Sequence, residues 1–134
     1  MYEYAIKNVV KIIDGDTIDA EIDLGFSLTK KERIRLAGID TPETRTKNLE
    51  EKKYGIEARN YLISKLATCK NIIVKTEKDG KYGRMLGWLF DDENKSINLS
   101  MIELGFAWEY GGAPKEKNTD TMTLALNELK EKRK

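Results

Sequence analysis

The chain contains no histidine. That absence excludes Ser-His-Asp and Cys-His nucleophilic catalysis, histidine-based zinc sites and a histidine general base. Cys69 is the single cysteine among 134 residues, so internal disulfides and cysteine-rich metal clusters are excluded as well. No apolar run approaches the roughly 20 residues that a bilayer-spanning helix needs, and no membrane role is expected. There is no internal repeat and no low-complexity linker. Nor does charge of one sign dominate: 24 Lys and Arg face 23 Asp and Glu, a net charge of +1. The whole molecule is therefore not a basic counterion, and affinity for a polyanion has to come from local clusters of Lys and Arg. Hydrolytic chemistry on this chain must rest on carboxylates and arginines, with or without a hard divalent ion.

The 134 residues, at 15.4 kDa, suit one ordinary domain spanning positions 1–134, with a charged, frayed tail from about 130. Hydrophobic residues make up 40% and charged residues 35%, which fits a small, highly charged globule, expected to be monomeric. The segment from Met1 to Lys11 lacks the basic-then-apolar layout of a secretory signal. An intracellular location is expected for the chain as written, and a secreted one if a leader has been removed. Cys69 suits both.

The first half reads as strands. Tyr4 to Ile13 is rich in β-branched and aromatic residues. Thr17 to Leu24 alternates, with Ile18, Ala20, Ile22 and Leu24 on one face. Asp14-Gly15 between them signals a hairpin turn. Lys31 to Leu36 is a third strand, with Ile34 and Leu36 inward and Arg33 and Arg35 outward. Thr44 to Lys53 is polar and aperiodic, and reads as a mobile loop. Tyr54 to Ala67 has helical spacing through Ala58, Leu62 and Leu66. Asn71 to Thr76 and Met85 to Phe90 are strands. Ser96 to Leu104 is a short helix closed by Gly105, and Asp120 caps a last helix carrying Met122, Ala125, Leu126 and Leu129. This order predicts a β-rich α+β protein: a five-stranded barrel of the OB type with three helices packed outside it. The alternative is an α+β sandwich of another topology.

Two segments can carry chemistry: Asp14-Gly15-Asp16-Thr17, and Arg35 through Asp40-Thr41-Pro42-Glu43. Pro42 has a fixed φ and keeps Thr41 out of the helical region, so the turn stays extended. A hard cation such as Ca²⁺ takes oxygen ligands from carboxylates, carbonyls and water. Asp16, Asp40 and the Thr41 carbonyl can supply three. Glu43 is then available as general base for a water, while Arg35 and Arg84 grip phosphate oxygens through their planar forks. Phosphodiester hydrolysis needs these parts and no histidine. Each feature alone also has a plainer reading: a turn at Asp14-Gly15, a solvated or ion-paired Arg35, a helix start at Asp40 to Glu43.

Taken together, these segments resemble the staphylococcal nuclease (thermonuclease) family. The likeness continues through Lys53-Tyr54-Gly55, through Asp79 and Lys81-Tyr82-Gly83-Arg84, and through Asn98 to Leu104 with Gly105-Phe106-Ala107. It runs from about Val9 to about Lys132. The resemblance implies a calcium-dependent phosphodiesterase built on an OB barrel, which hydrolyses DNA and RNA and leaves 3′-phosphate ends. It implies Asp16, Asp40 and Thr41 as calcium ligands and Glu43 as the residue that activates water. It also implies Arg35 and Arg84 as phosphate-binding arginines, and Lys81 and Tyr82 as contacts to the substrate.

The chain departs from the family at several points. Trp108 stands where the family has a substrate-side Tyr, with Tyr110 retained; a base can stack on either ring, or Trp108 is a core aromatic. Gly111-Gly112-Ala113-Pro114-Lys115 replaces the family's Lys-Pro loop. Gly38 and Ile39 replace bulkier aliphatics, which implies a softer core there. Lys30, Lys31, Lys47, Lys52, Lys53, Lys78 and Lys81 are expected to form a positive rim around the site, or else a solvated surface interleaved with Glu. Sequence specificity is not expected, because phosphate contacts carry no base information. Single strands, whose bases can stack, are the expected preference. The rival readings are a non-catalytic module that binds single-stranded nucleic acid, and a barrel that binds a protein.

Overall fold

Alternation along Thr17–Gly25 (β2) sends Ile18, Ala20 and Ile22 into the interior, where each is essentially solvent-free. The computed structural model describes residues 2–77, 85–110, 126–127 and 129–133. β2 pairs antiparallel with both of its neighbours, Tyr2–Asp14 (β1) and Leu28–Leu36 (β3). β1 carries register shifts after Ile6, Val9 and Ile12. Such bulges add twist, and one long strand can then curl along β2 while its start pairs with Ile72–Thr76 (β5). Met85–Phe90 (β6) pairs antiparallel with β5 and parallel with β3, which closes the barrel in the order β1-β2-β3-β6-β5.

The interior is filled by the inward residues of these strands, including Ile34, Leu36, Val74 and Leu89. The helix Leu49–Thr68 (α1) lays Ala58, Leu62 and Leu66 against the same core. A shorter helix, Ile97–Glu103 (α2), is capped by the Ser96 side chain, which accepts from the Leu99 N–H at 3.2 Å. Gly105, at φ +81°, follows its last turn, where a left-handed residue ends a helix without a Cβ penalty. A third helix, α3, has described residues 126–127 and 129–132, and its Leu126 and Leu129 are buried. No helix among the described residues is long and apolar enough to cross a membrane.

Four expectations change. Leu24 is 43% exposed rather than inward, because the β2–β3 ladder slips between Asp23 and Gly25. The segment from Thr44 to Lys53 is loop only as far as Asn48, whose side chain caps α1 by accepting from the Glu51 N–H at 3.1 Å. The space over Gly38 is filled: its φ is +75°, and an added Cβ would lie 2.6 Å from the Trp88 ring, while Ile39 is fully buried. At the charged end, Arg133 docks rather than frays. The Arg133 Nε donates to the Gly105 carbonyl at 2.9 Å, its guanidinium lies over the Tyr54 and Phe106 rings, and it pairs with Glu57.

Two short strands absent from the sequence reading, Ile39–Asp40 (β4) and Trp108–Glu109 (β7), pair with each other outside the barrel. Buried Asn98 ties the bend leading into β4 to β6 of the barrel. Its amide donates to the Ala37 and Gly87 carbonyls at 2.8 and 3.1 Å, and its oxygen accepts from the Leu89 N–H at 3.0 Å.

Candidate active site

The β1–β2 turn and the end of β3 meet by strand pairing. Asp14 pairs with Thr17, which leaves Gly15 and Asp16 as the turn, and Thr17 pairs with Arg35 across the β2–β3 ladder. The turn lies directly on α1: a Cβ on Gly15 would stand 2.9 Å from that of Ala58, closer than real Cβ contacts allow. The Leu36 N–H donates to the Asp16 carbonyl at 2.7 Å and ties the two segments together. Asp40 comes to the same place because β4 is anchored on β7, with Asp40 opposite Trp108.

Arg35 is the centre of the cluster, its side chain only 13% exposed. Nη1 donates to the Leu36 and Ile39 carbonyls at 2.7 and 2.9 Å, so the bend at 36–39 wraps around the guanidinium. Nη2 lies 3.3 Å from Asp40 Oδ1 and 3.4 Å from Asp16 Oδ2. The Tyr110 ring covers one face, its centroid 5.7 Å from the guanidinium carbon. The Thr41 N–H donates to both carboxylates, at 3.2 Å to Asp16 and 3.1 Å to Asp40, and the Thr17 hydroxyl donates to Asp16 at 2.9 Å. Asp16, Asp40 and Thr41 are all buried, which is tolerable for two carboxylates only with such partners.

Glu43 follows two residues further on, half-buried, with its N–H donated to Glu51 Oε1 at 3.1 Å. The Thr44 hydroxyl donates to Asp14. The structure thus brings Asp16, Arg35, Asp40, Thr41 and Tyr110 into direct contact and sets Glu43 just beyond them. Lys81, Tyr82 and Arg84 lie outside the described residues, as do Lys78 and the 111–115 segment. Trp108 does not join the cluster: it is 6% exposed and packs against Leu126, Leu129 and Tyr54. Pairing with β4 turns its ring under α3, so the core reading holds and the stacking role falls away. Lys30 and Lys31 also stand apart. They pair opposite Ile22 and Glu21, and Lys31 is about 13 Å along the strand from Arg35 at the usual rise. Lys47, Lys52 and Lys53 are exposed on the loop and first turns of α1, consistent with either reading of them.

Arg33, the other outward arginine of β3, is committed elsewhere. It grips Asp19 at 2.8 and 3.2 Å, and that hydrogen bond holds the Asp19 carboxyl below the ordinary carboxylate range. Arg35 and not Arg33 therefore belongs to the pocket.

The donor set suits a hard cation. Asp16, Asp40 and the Thr41 carbonyl offer oxygen alone, the donor class Ca²⁺ takes, and the Thr41 hydroxyl beside them is a buried polar atom without a hydrogen-bond partner. Among the described residues no three Asp, Glu, His or Cys side chains gather closely enough to encage an ion. An ion held here would lean on the carbonyl, on water and on a substrate phosphate as well as on the two carboxylates.

The family model described as staphylococcal nuclease homologue matches residues 33–134. The chain belongs to the staphylococcal nuclease family. The matched stretch begins inside β3 and takes in Arg35, Asp40, Thr41 and Glu43. Among relatives, a protein of Escherichia coli O157:H7 named an uncharacterized endonuclease is 32% identical over 127 residues, 94% of this chain and 72% of its own length. The thermonuclease of Staphylococcus intermedius is 32% identical over 127 residues, 92% of this chain and 71% of its own. The micrococcal nuclease of Shigella flexneri is 33% identical over 111 residues, 76% of this chain and 56% of its own. As a member of this family the protein is a hydrolytic nuclease, and its substrates are nucleic acids.

Sequence reasoning missed residues that hold the nuclease pocket from behind. Glu51 was hidden in the stretch read as loop, although Asn48 three positions earlier makes a capping pattern. Gly55 faces the Pro42 and Glu43 backbone, where a Cβ would come within 2.5 Å of the Glu43 carbonyl oxygen. Nothing in the local pattern marks Asn98 as the tie between β6 and the bend before β4.

Proposed function

We propose that this nuclease is a calcium-dependent, sequence-non-specific phosphodiesterase that hydrolyses DNA and RNA, prefers single strands and leaves 3′-phosphate ends. The observation that carries the reading is the convergence of two buried carboxylates and one caged arginine at the strand ends. Asp16, Asp40 and the Thr41 carbonyl are the residues that would hold the ion. Bound Ca²⁺ would supply charge stabilisation to the phosphate and ease deprotonation of an adjacent water.

The chain's own groups do the rest. Glu43 accepts the proton of the attacking water as its oxygen bonds to phosphorus. The bond from phosphorus to the 5′ oxygen breaks, that oxygen takes up a proton, and the phosphate stays on the 3′ side. Arg35 and Arg84 donate to the non-bridging oxygens as negative charge builds there, which stabilises the transition state more than the ground state. Arg35 is preorganised for this because Nη1 is fixed on two backbone carbonyls. Tyr110, Lys81 and Tyr82 contact the sugar, base or terminal phosphate. These contacts are to backbone and ring faces, so they do not read sequence.

The test is a Ca²⁺ titration of single-stranded DNA degradation with analysis of the product ends. Cleavage that rises with Ca²⁺, stops in excess EGTA and yields 3′-phosphates is expected. Equal cleavage in EGTA would remove calcium from the reading. Binding without cleavage in the presence of Ca²⁺ would leave the single-strand binding module as the better account.

A further inference from the structure

Behind Glu43 lies a second carboxylate that the reaction itself does not need. Glu51 stands in the first turn of α1 and is 7% exposed. No Lys or Arg among the described residues pairs with it. A buried carboxylate costs free energy unless hydrogen bonds offset its lost hydration. Its partners are specific. Oε1 accepts from the Glu43 N–H at 3.1 Å and Oε2 from the Thr46 hydroxyl at 3.3 Å, while the start of a helix also favours negative charge. One side chain thereby closes the 43–46 loop onto the helix.

One turn further along the same face stands Gly55. Glu51 and Gly55 are four residues apart and so lie one above the other on α1. Glu51 catches the Glu43 N–H, and Gly55 leaves room for the Glu43 carbonyl, where a Cβ would lie 2.5 Å away. The helix face is shaped to seat the loop backbone at Pro42 and Glu43, and Glu43 is the residue it holds through both groups.

We propose that Glu51 is a positioning residue, whose carboxylate fixes the Glu43 backbone and so aims the Glu43 side chain at the water. The proposal rests on the reading of Glu43 as the group that takes the proton. A misplacement of about 1 Å in a catalytic group can cost on the order of 10²-fold in rate. Glu51→Ala is therefore expected to lower kcat by roughly 10- to 100-fold with KM little changed. Glu51→Gln keeps an oxygen for the Glu43 N–H, and its amide can donate to the Thr46 hydroxyl, so it should restore most of the loss.

The experiment measures kcat and KM for Ca²⁺-dependent cleavage of a single-stranded oligonucleotide by the full chain, below every variant's melting temperature. It compares the parent, Glu51→Ala, Glu51→Gln, Glu43→Gln and the double variant Glu43→Gln with Glu51→Ala. If Glu51 works through Glu43, Glu51→Ala costs little more once Glu43 is changed. The same loss in both backgrounds would overturn the proposal, as would parental kcat in Glu51→Ala or no rescue in Glu51→Gln. Should Glu51→Ala not fold, Glu51→Asp replaces it throughout. Shortening the carboxylate by one methylene is expected to lower kcat about tenfold, and parental kcat there also overturns the proposal. Full activity in Glu43→Gln would instead refute the role of Glu43, a result separable from any behaviour of Glu51.

Discussion

Arg35 and Arg33 occupy outward positions on the same strand, and their surroundings separate them. Arg33 is an exposed partner of Asp19, whereas Arg35 is held by two backbone carbonyls and lies against two carboxylates and a tyrosine ring. The planar fork is what allows Arg35 to meet all of them, and a lysine ammonium cannot reproduce it. Arg35→Lys is expected to lower kcat by about 10²–10³-fold, the scale of losing one transition-state donor, in a single-turnover assay with saturating DNA. Glu43→Gln should lower turnover by roughly 10²–10⁴-fold with little change in oligonucleotide binding, measured by fluorescence anisotropy. At this scale the sequence was most legible. Asp16, Arg35, Asp40, Thr41 and Glu43 are chemically distinctive, and they sit at strand ends that alternation locates. Trp108 was ambiguous because an indole serves equally as a core filler and a stacking surface. Its burial is decided by α3, which its own neighbours in sequence do not reveal.

At the scale of elements, α1 does most to shape the pocket. Its start was illegible because Leu49 to Lys53 is nearly all charged, and only the Asn48 cap and the acids Glu50 and Glu51 mark a helix there. Its Gly55 was legible as part of a motif but not as a contact. Gly55→Ala would drive a methyl group into the Glu43 backbone. It is expected to cost about 1–3 kcal/mol of stability in urea denaturation and to lower kcat as well, since the loop must move to accommodate it. The far end of α1 offers a pH-dependent prediction. Asp92 accepts from the Lys70 and Asn71 N–H groups just after the helix, and these bonds hold its carboxyl below the ordinary value of 3.8. A depressed carboxylate contributes stability above the unfolded value and loses that contribution as pH falls through the folded one. Asp92→Ala should therefore lower the melting temperature near pH 7, and the gap from the parent should narrow as pH drops below 4.

At the scale of the whole molecule, the barrel closes through pairings that no local pattern encodes. Five strands and their faces follow from alternation and turns, but the parallel β3–β6 contact and the closing β1–β5 contact depend on how the chain bends. Bulges in β1 supply that bend, and bulges leave little trace in hydrophobic periodicity. The outer shell is fastened by Arg133, which lies over Tyr54 of α1 and over Phe106, itself stacked on Tyr61 at 4.7 Å. Arg133→Ala is expected to lower global stability by about 1–3 kcal/mol, read as a shifted midpoint in thermal or urea unfolding, with the nuclease pocket unchanged in chemistry.

The β4–β7 ladder ties Asp40 to Trp108 across much of the sequence. A nascent chain that has not yet extended past Trp108 has the hairpins and Arg35 but lacks the strand that pairs with β4 beside Asp40. Such a precursor is expected to be inert towards DNA and RNA. Cleaving power would then arrive all at once, when β7 has been made and has paired with β4, rather than growing in by degrees.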